Sequence, residues 1–236
     1  MSLLLEARNL NKFYGGFRAL SDFNFSVERG RIVGLLGPNG SGKTTFIKIL
    51  AGLLTCEAGI VHINGVKPGA ETKSMVSYLP ERPYFNSWMR VDECLEYFED
   101  FYEDFDRVLA EKMLSDLNVP TEAKLKTLSK GTKEKVQLIL VMARRAQLYL
   151  LDEPIAGVDP AARDYILDTI ISNYNKEASI IISTHLIADV EKVLDDFAFI
   201  SNGSVITGGN VQALREEKGM SLDEYFREVF KCYRSC

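Results

Sequence analysis

Apolar residues recur along this chain at two spacings, and the switches between them outline its elements. From Leu3 to about Gly65 the period is mostly two. Phe23, Phe25 and Val27 alternate with polar residues, Ile32 to Leu36 form a continuous apolar run, and Val61 and Ile63 alternate ahead of an Asn64-Gly65 turn, so strands are predicted. Between them, Thr44 to Leu54 carries apolar residues at helical spacing. From about Val91 to Val119, Leu95, Phe98 and Tyr102, then Val108, Met113, Leu114 and Leu117, fall at helical intervals among many acids, which predicts a helical insertion. A helix follows behind Ser129, whose hydroxyl suits an N-cap ahead of Val136, Ile139, Leu140 and Ala143. Then come a buried strand at Leu148 to Leu151, a helix around Ala161 to Tyr174 and a strand at Ile180 to Ser183. Phe197 to Thr207 folds back through Asn202-Gly203, a hairpin turn signal. Leu222, Tyr225, Phe226, Val229, Phe230 and Tyr233 share one face of a terminal helix, expected to pack on the body of its own domain. Buried strands alternating with helices predict an α/β fold, a mainly parallel sheet covered on both faces.

Composition narrows the function classes. With 236 residues the chain can bury a substantial core, and a net charge of −5 argues against a nucleic-acid binder, which concentrates Lys and Arg to neutralise phosphates. The four cysteines, Cys56, Cys94, Cys232 and Cys236, lack zinc spacing and read as reduced thiols of a cytosolic protein. The opening MSLLLEARNLNKF is interrupted by Glu6 and Arg8 and predicts no signal peptide, and no run approaches the roughly 20 apolar residues that cross a bilayer. Any membrane role is expected to come through a partner.

Three short strings carry chemistry. GPNGSGKTT runs through Gly37, Pro38, Asn39, Gly40, Ser41, Gly42, Lys43, Thr44 and Thr45, fits G-x-x-x-x-G-K-[ST], and stands between a predicted strand and a predicted helix. Its glycines let backbone N–H groups curl around phosphate oxygens, Lys43 reaches the β- and γ-phosphates, Thr44 ligates Mg²⁺, and Thr45 lies close to the α-phosphate. LYLLDEP, Leu148 to Pro154, places Asp152 at the carboxyl end of a buried strand, where open α/β sheets put ligands, and there it can hold Mg²⁺. Glu153 follows, and a second carboxylate at the γ-phosphate can polarise water, which points to hydrolysis. STH, Ser183 to His185, ends another buried strand and brings His185 to the same sheet edge, whereas His62 reads as a surface residue.

The order of these strings, with Tyr14 ahead of the loop and with YLPE, LSKGT and AGVDP between and after them, resembles the nucleotide-binding subunit of ATP-binding cassette (ABC) transporters from Leu3 to about Leu214. The resemblance implies the ABC ATPase fold: a single domain over residues 1–236, with a P-loop core, an N-terminal antiparallel β-subdomain, a helical subdomain at about 88–145 and a C-terminal hairpin and helix at about 197–236. It implies that Tyr14 stacks on adenine and that Glu81 sits in the loop that senses the γ-phosphate and Mg²⁺ and meets the membrane partner. His185 would hold the γ-phosphate, and Asp159 would contact the opposite subunit. Ser129 and Gly131 would bind the γ-phosphate of ATP held by a second ATPase subunit, identical or paralogous, in a head-to-tail dimer. Glu153, His185 and Lys43 are then the catalytic set, ATP and Mg²⁺ the cofactors, a separately encoded permease the partner, and the cytoplasmic face of the membrane the location. Two positions depart from the family pattern: LSKGT stands for LSGGQ, and Glu81 for a glutamine. Both departures resemble ATPases of ABC-2 type exporters. The segment from Pro83 to Val119, with Trp88 and Met89 near its start, is expected to form the groove for a permease helix. A soluble ABC ATPase of the iron–sulfur assembly type is the alternative. A P-loop kinase is disfavoured by Glu153 and by the lack of an acceptor lid.

Overall fold

The structure, a computed structural model, describes residues 2–156, 158 and 160–234. Its strands are β1 (Leu3–Tyr14), β2 (Phe17–Glu28), β3 (Ile32–Leu36), β4 (Ala58–Ile63), β5 (Val76–Leu79), β6 (Leu148–Asp152), β7 (Ser179–Thr184), β8 (Asp196–Ser201) and β9 (Ser204–Asn210). Its helices are α1 (Lys43–Leu50), α2 (Val91–Phe101), α3 (Arg107–Asp116), α4 (Lys130–Met142), α5 (Pro160–Asn173), α6 (Ile187–Val190), α7 (Val211–Lys218) and α8 (Leu222–Arg234).

The strands form two sheets. An antiparallel sheet has the order β2-β1-β4, and a six-stranded sheet has the order β5-β6-β7-β3-β8-β9, parallel except for the β8-β9 hairpin. The central strands are apolar without alternation because both faces are covered. Period two still sorts their side chains: Leu36, Tyr149, Leu151, Ile180 and Ile182 join one core, and Val33, Leu35, Leu148, Leu150 and Ile181 the other. The second core contains α1 and the antiparallel sheet, where Phe46 meets Phe23 and Phe25 with ring centroids 4.5 and 5.4 Å apart. On the first core lie α2 to α4, inserted between β5 and β6, and the chain's last two helices.

Several expected boundaries move for local reasons. The first helix ends at Leu50, followed by a turn in which Gly52 takes φ +69°. The acidic insertion is two helices, because Tyr102 is extended and Asp106, accepting a hydrogen bond from Leu109 N at 3.0 Å, caps a new start. The predicted hairpin turn has positive φ at both Asn202 and Gly203, the geometry that fits twisted strands. The apolar face of α8 packs on its own domain as expected, with Phe226 and Phe230 against Phe199 at 5.1 and 6.2 Å.

Candidate functional site

The phosphate loop is held in place by backbone on every side. A Cβ on Gly37 would come within 2.4 Å of Ile200 O, and one on Gly42, at φ +109°, within 2.7 Å of Ala19 O. The tip of the β8-β9 hairpin closes on the same spot: Gly203 N donates to Ser41 O at 2.9 Å, and Ser21 N to Gly203 O at 2.8 Å. The loop therefore has one shape, and α1 starts from it with Lys43 already buried.

Lys43 Nζ donates to the carbonyls of Gly37 and Pro38 at 2.8 and 3.2 Å and lies 3.5 Å from Glu153 Oε1. Burial holds its ammonium below the ordinary lysine range, and the charge of Glu153 opposes that shift. Thr44 Oγ1 donates to Asp152 Oδ1 at 3.1 Å, and Ser183 Oγ donates to the same oxygen. Asp152 is 1 % exposed and its Oδ2 has no protein partner, so burial raises its carboxyl above the usual range despite those two hydrogen bonds. Asp152 ends β6 rather than emerging from it. An unpartnered buried oxygen beside a threonine hydroxyl is a hard-oxygen donor set, the chemistry Mg²⁺ takes when phosphates and water complete its shell. Among the described residues no cluster of three acidic, His or Cys side chains forms a metal site by itself.

Glu153 takes φ +51°, a conformation a non-glycine residue adopts only when its surroundings impose it. Its N–H donates to Ser183 O at 2.9 Å, and Thr184 Oγ1 donates to Oε2 at 2.9 Å. His185 Nδ1 lies 3.1 Å from both carboxylate oxygens. These contacts turn the carboxylate into a cleft of about 410 Å³ lined by Tyr14, the loop from Asn39 to Thr45, Glu81, Glu153 and His185, with Phe17, Ala19 and Ala156 at its rim. Sequence reasoning passed over Ser183, Thr184 and Phe17. The signal for the first two was available: polar residues ending an otherwise apolar strand beside the acidic one.

Ser129 and Gly131 lie apart from this cleft. Ser129 caps α4, its Oγ accepting from Thr132 N at 3.1 Å, and it is exposed on the helical unit. Lys130 is exposed and faces Glu134 of its own helix at 3.8 Å. Asp159 lies outside the described residues. A second cavity, of about 450 Å³, opens between α1, β5 and α2 and is lined by Lys48, Arg82, Tyr84, Tyr97, Tyr102 and Arg144 among others. Of the segment from Pro83 to Val119, Tyr84, Tyr97, Phe98 and Tyr102 line it, and Trp88 and Met89 do not. Met89 packs on the core, and Trp88 is on the open surface.

Comparison with known proteins agrees with this geometry. The ABC transporter family pattern matches residues 20–156. The ABC-type transporter ATP-binding protein EcsA of Bacillus subtilis is 33 % identical over 97 % of each chain. The ABC transporter ATP-binding protein YtrB of the same organism is 29 % identical over 91 % of this chain and 74 % of its own. A solved ATP-binding subunit of an ABC transporter superposes with a TM-score of 0.84 at 32 % identity, covering 96 % of this chain and 99 % of that one. A family pattern over more than half the chain, a relative matched end to end, and a phosphate loop facing a buried aspartate and a clamped glutamate lead to one conclusion: this chain belongs to the ABC transporter ATP-binding family, and it is an ATPase.

Proposed function

We propose that this ATPase drives a separately encoded membrane permease, outward, and works as a head-to-tail pair. The observation that carries the reading is the separation of Ser129 and Gly131 from a cleft that already holds Lys43, Glu153, His185 and Thr44, the last bonded to Asp152. One subunit supplies the cradle, and the exposed start of α4 supplies a helix N-terminus to the nucleotide of the other. Tyr14, exposed at the cleft's edge, offers a ring for adenine. Lys43 and the loop N–H groups take the phosphates, and Thr44 and Asp152, with Glu81 nearby, would hold Mg²⁺, which when bound would supply positive charge to the phosphates. Glu153 accepts the proton of the attacking water, and His185 fixes that carboxylate and reaches the γ-phosphate.

Among the described residues no helix is long and apolar enough to cross a membrane. In this reading the permease supplies the path, and this chain sits at its cytoplasmic face. The aromatic cavity between core and helical unit is the place for a permease helix. Export is favoured by relatives such as the SkfA peptide export ATP-binding protein SkfE, 30 % identical over 97 % of this chain, and by the linearmycin resistance ATP-binding protein LnrL, 28 % identical over 87 %. The test is Glu153→Gln. Turnover should fall by about 10²–10⁴, the usual contribution of a general base, while ATP drives the variant into a stable dimer in sedimentation. A variant that turns over normally, or stays monomeric at saturating ATP, contradicts the reading.

A further inference from the structure

Arg144, just beyond α4, is 3 % exposed and makes five hydrogen bonds. Nε and Nη2 donate to Asp104 Oδ1 and Oδ2 at 2.9 and 3.1 Å, and Nη1 donates to Val76 O at 2.7 Å. Nη2 also reaches the carbonyls of Lys73 and Ser74 at 3.3 and 3.2 Å, and the guanidinium lies 3.8 Å from the centroid of Tyr102. Asp104 and Tyr102 belong to the α2-α3 connection, and the three carbonyls stand at the start of β5. One residue beyond Val76, Ser77 Oγ donates to Val141 O at 2.9 Å. The base of α4 is thus bolted to the first residues of β5.

The other ends of these two elements carry function. Beyond the end of β5 lies Glu81, in the ATP cleft, and at the start of α4 stands Ser129. Glu134, in the second turn of α4, lines the same small cavity as Glu81, so the free ends run side by side. A guanidinium with its donors committed to two different segments cannot lose one partner without leaving a buried charge unpaired, so the segments move together. Spanning 13 residues, α4 is about 20 Å long, and a tilt of roughly 10° at its base displaces Ser129 by about 3 Å, enough to break a hydrogen bond.

We propose that Arg144 is a positioning residue that fixes the base of α4 to β5 and so sets where Ser129 stands relative to Glu81. The consequence for dimerisation rests on the head-to-tail reading above. The test uses the full chain carrying Glu153→Gln, with Arg144→Gln and Arg144→Lys added singly and folding checked by circular dichroism. With Arg144→Gln, Mg-ATP affinity of the monomer should stay within about twofold, because the phosphate loop is untouched, while the ATP-driven dimerisation constant falls about tenfold. Arg144→Lys, which keeps the charge, should recover part of that loss. A second readout needs no dimer. Trp88, the chain's single tryptophan, rides with the helical unit through Lys126 N to Ser87 O at 2.7 Å and Leu125 N to Met89 O at 2.8 Å. Its emission should shift with Mg-ATP in the parent and not in Arg144→Gln. A folded Arg144→Gln chain that dimerises and shifts like its parent overturns the proposal. If the parent itself never dimerises, the head-to-tail reading falls, and Trp88 alone decides: a shift retained in Arg144→Gln, or absent from the parent, also overturns it. Should Arg144→Gln not fold, Arg144→Lys carries the same comparison with a smaller expected loss, because an ammonium cannot span Asp104 and the β5 carbonyls together.

Discussion

The two halves of the proposed catalytic centre are built in opposite ways. The phosphate cradle is over-determined: a Cβ added to Gly37 would meet Ile200 O, one added to Gly42 would meet Ala19 O, and the hairpin tip bonds to Ser41. The start of α4 is held by one serine cap, and a Cβ added to Gly131 would meet nothing within 4 Å. A cradle that binds a triphosphate tail by many weak N–H contacts must be fixed before the ligand arrives, or ordering it consumes the binding energy. A surface that completes another subunit's site must instead be free to approach it.

This contrast can be broken at single residues. Gly37→Ala should have the largest effect, because the new methyl meets backbone that cannot yield. Overpacking of about 1–3 kcal/mol, at about 2–4 °C per kcal/mol, lowers Tm by several degrees, and ATP binding weakens at least about tenfold in calorimetry. Gly131→Ala should do the reverse. Alanine favours a helix by about 1 kcal/mol over glycine, so Tm rises by about 2–4 °C while ATP-driven dimerisation weakens and monomer affinity for ATP holds. A Gly131→Ala chain with poorer monomer binding would erase the distinction between the halves.

Asp152→Asn separates stability from function inside the cradle. Because its carboxyl is raised by burial, the folded chain binds more protons than the unfolded one between the ordinary carboxylate value and the raised value. The stability contributed by protonated Asp152 is full below the ordinary value and lost as pH rises through the raised one. Asparagine removes that decline, so Tm at neutral pH should rise relative to the parent and the gap should close on acidification, while Mg-ATP turnover is lost. The smallest effect is expected where the halves meet. Exposed Lys130 of one subunit can offset Glu81 of the other, a coupling of about 0.2–1 kcal/mol for an exposed pair. A double-mutant cycle of Glu81→Gln and Lys130→Gly, read as dimerisation, measures it, and equal gains from Glu81→Gln in both backgrounds remove the coupling.

The sequence makes local features legible. GPNGSGKTT, the apolar run into Asp152, the cap at Ser129 and the Asn202-Gly203 turn each follow from a few adjacent residues, and the structure places each in the expected element. Illegible features are those whose partners are distant in the chain. Arg144 looks like one of two surface arginines until its guanidinium meets the carbonyl of Val76, 68 positions away. Glu153 gives no sequence sign of its positive φ, which Ser183 O and Thr184 impose from another strand. Within the segment from Pro83 to Val119, which residues line the cavity depends on how α2 faces the core: Tyr84 and Tyr97 line it, and Trp88 does not.

The bracing of Ser41 by Gly203 has a consequence in time. Strand β3, which leads into the phosphate loop, lies between β7 and β8, and both neighbours come from the last third of the chain. On a ribosome adding about 5–20 residues per second, the nucleotide cradle waits on the order of ten seconds or more after its own residues emerge before the hairpin can lock it. During that interval the nascent chain has the motif without the pocket, and tight ATP capture can begin only after β7, β8 and the hairpin tip have been made.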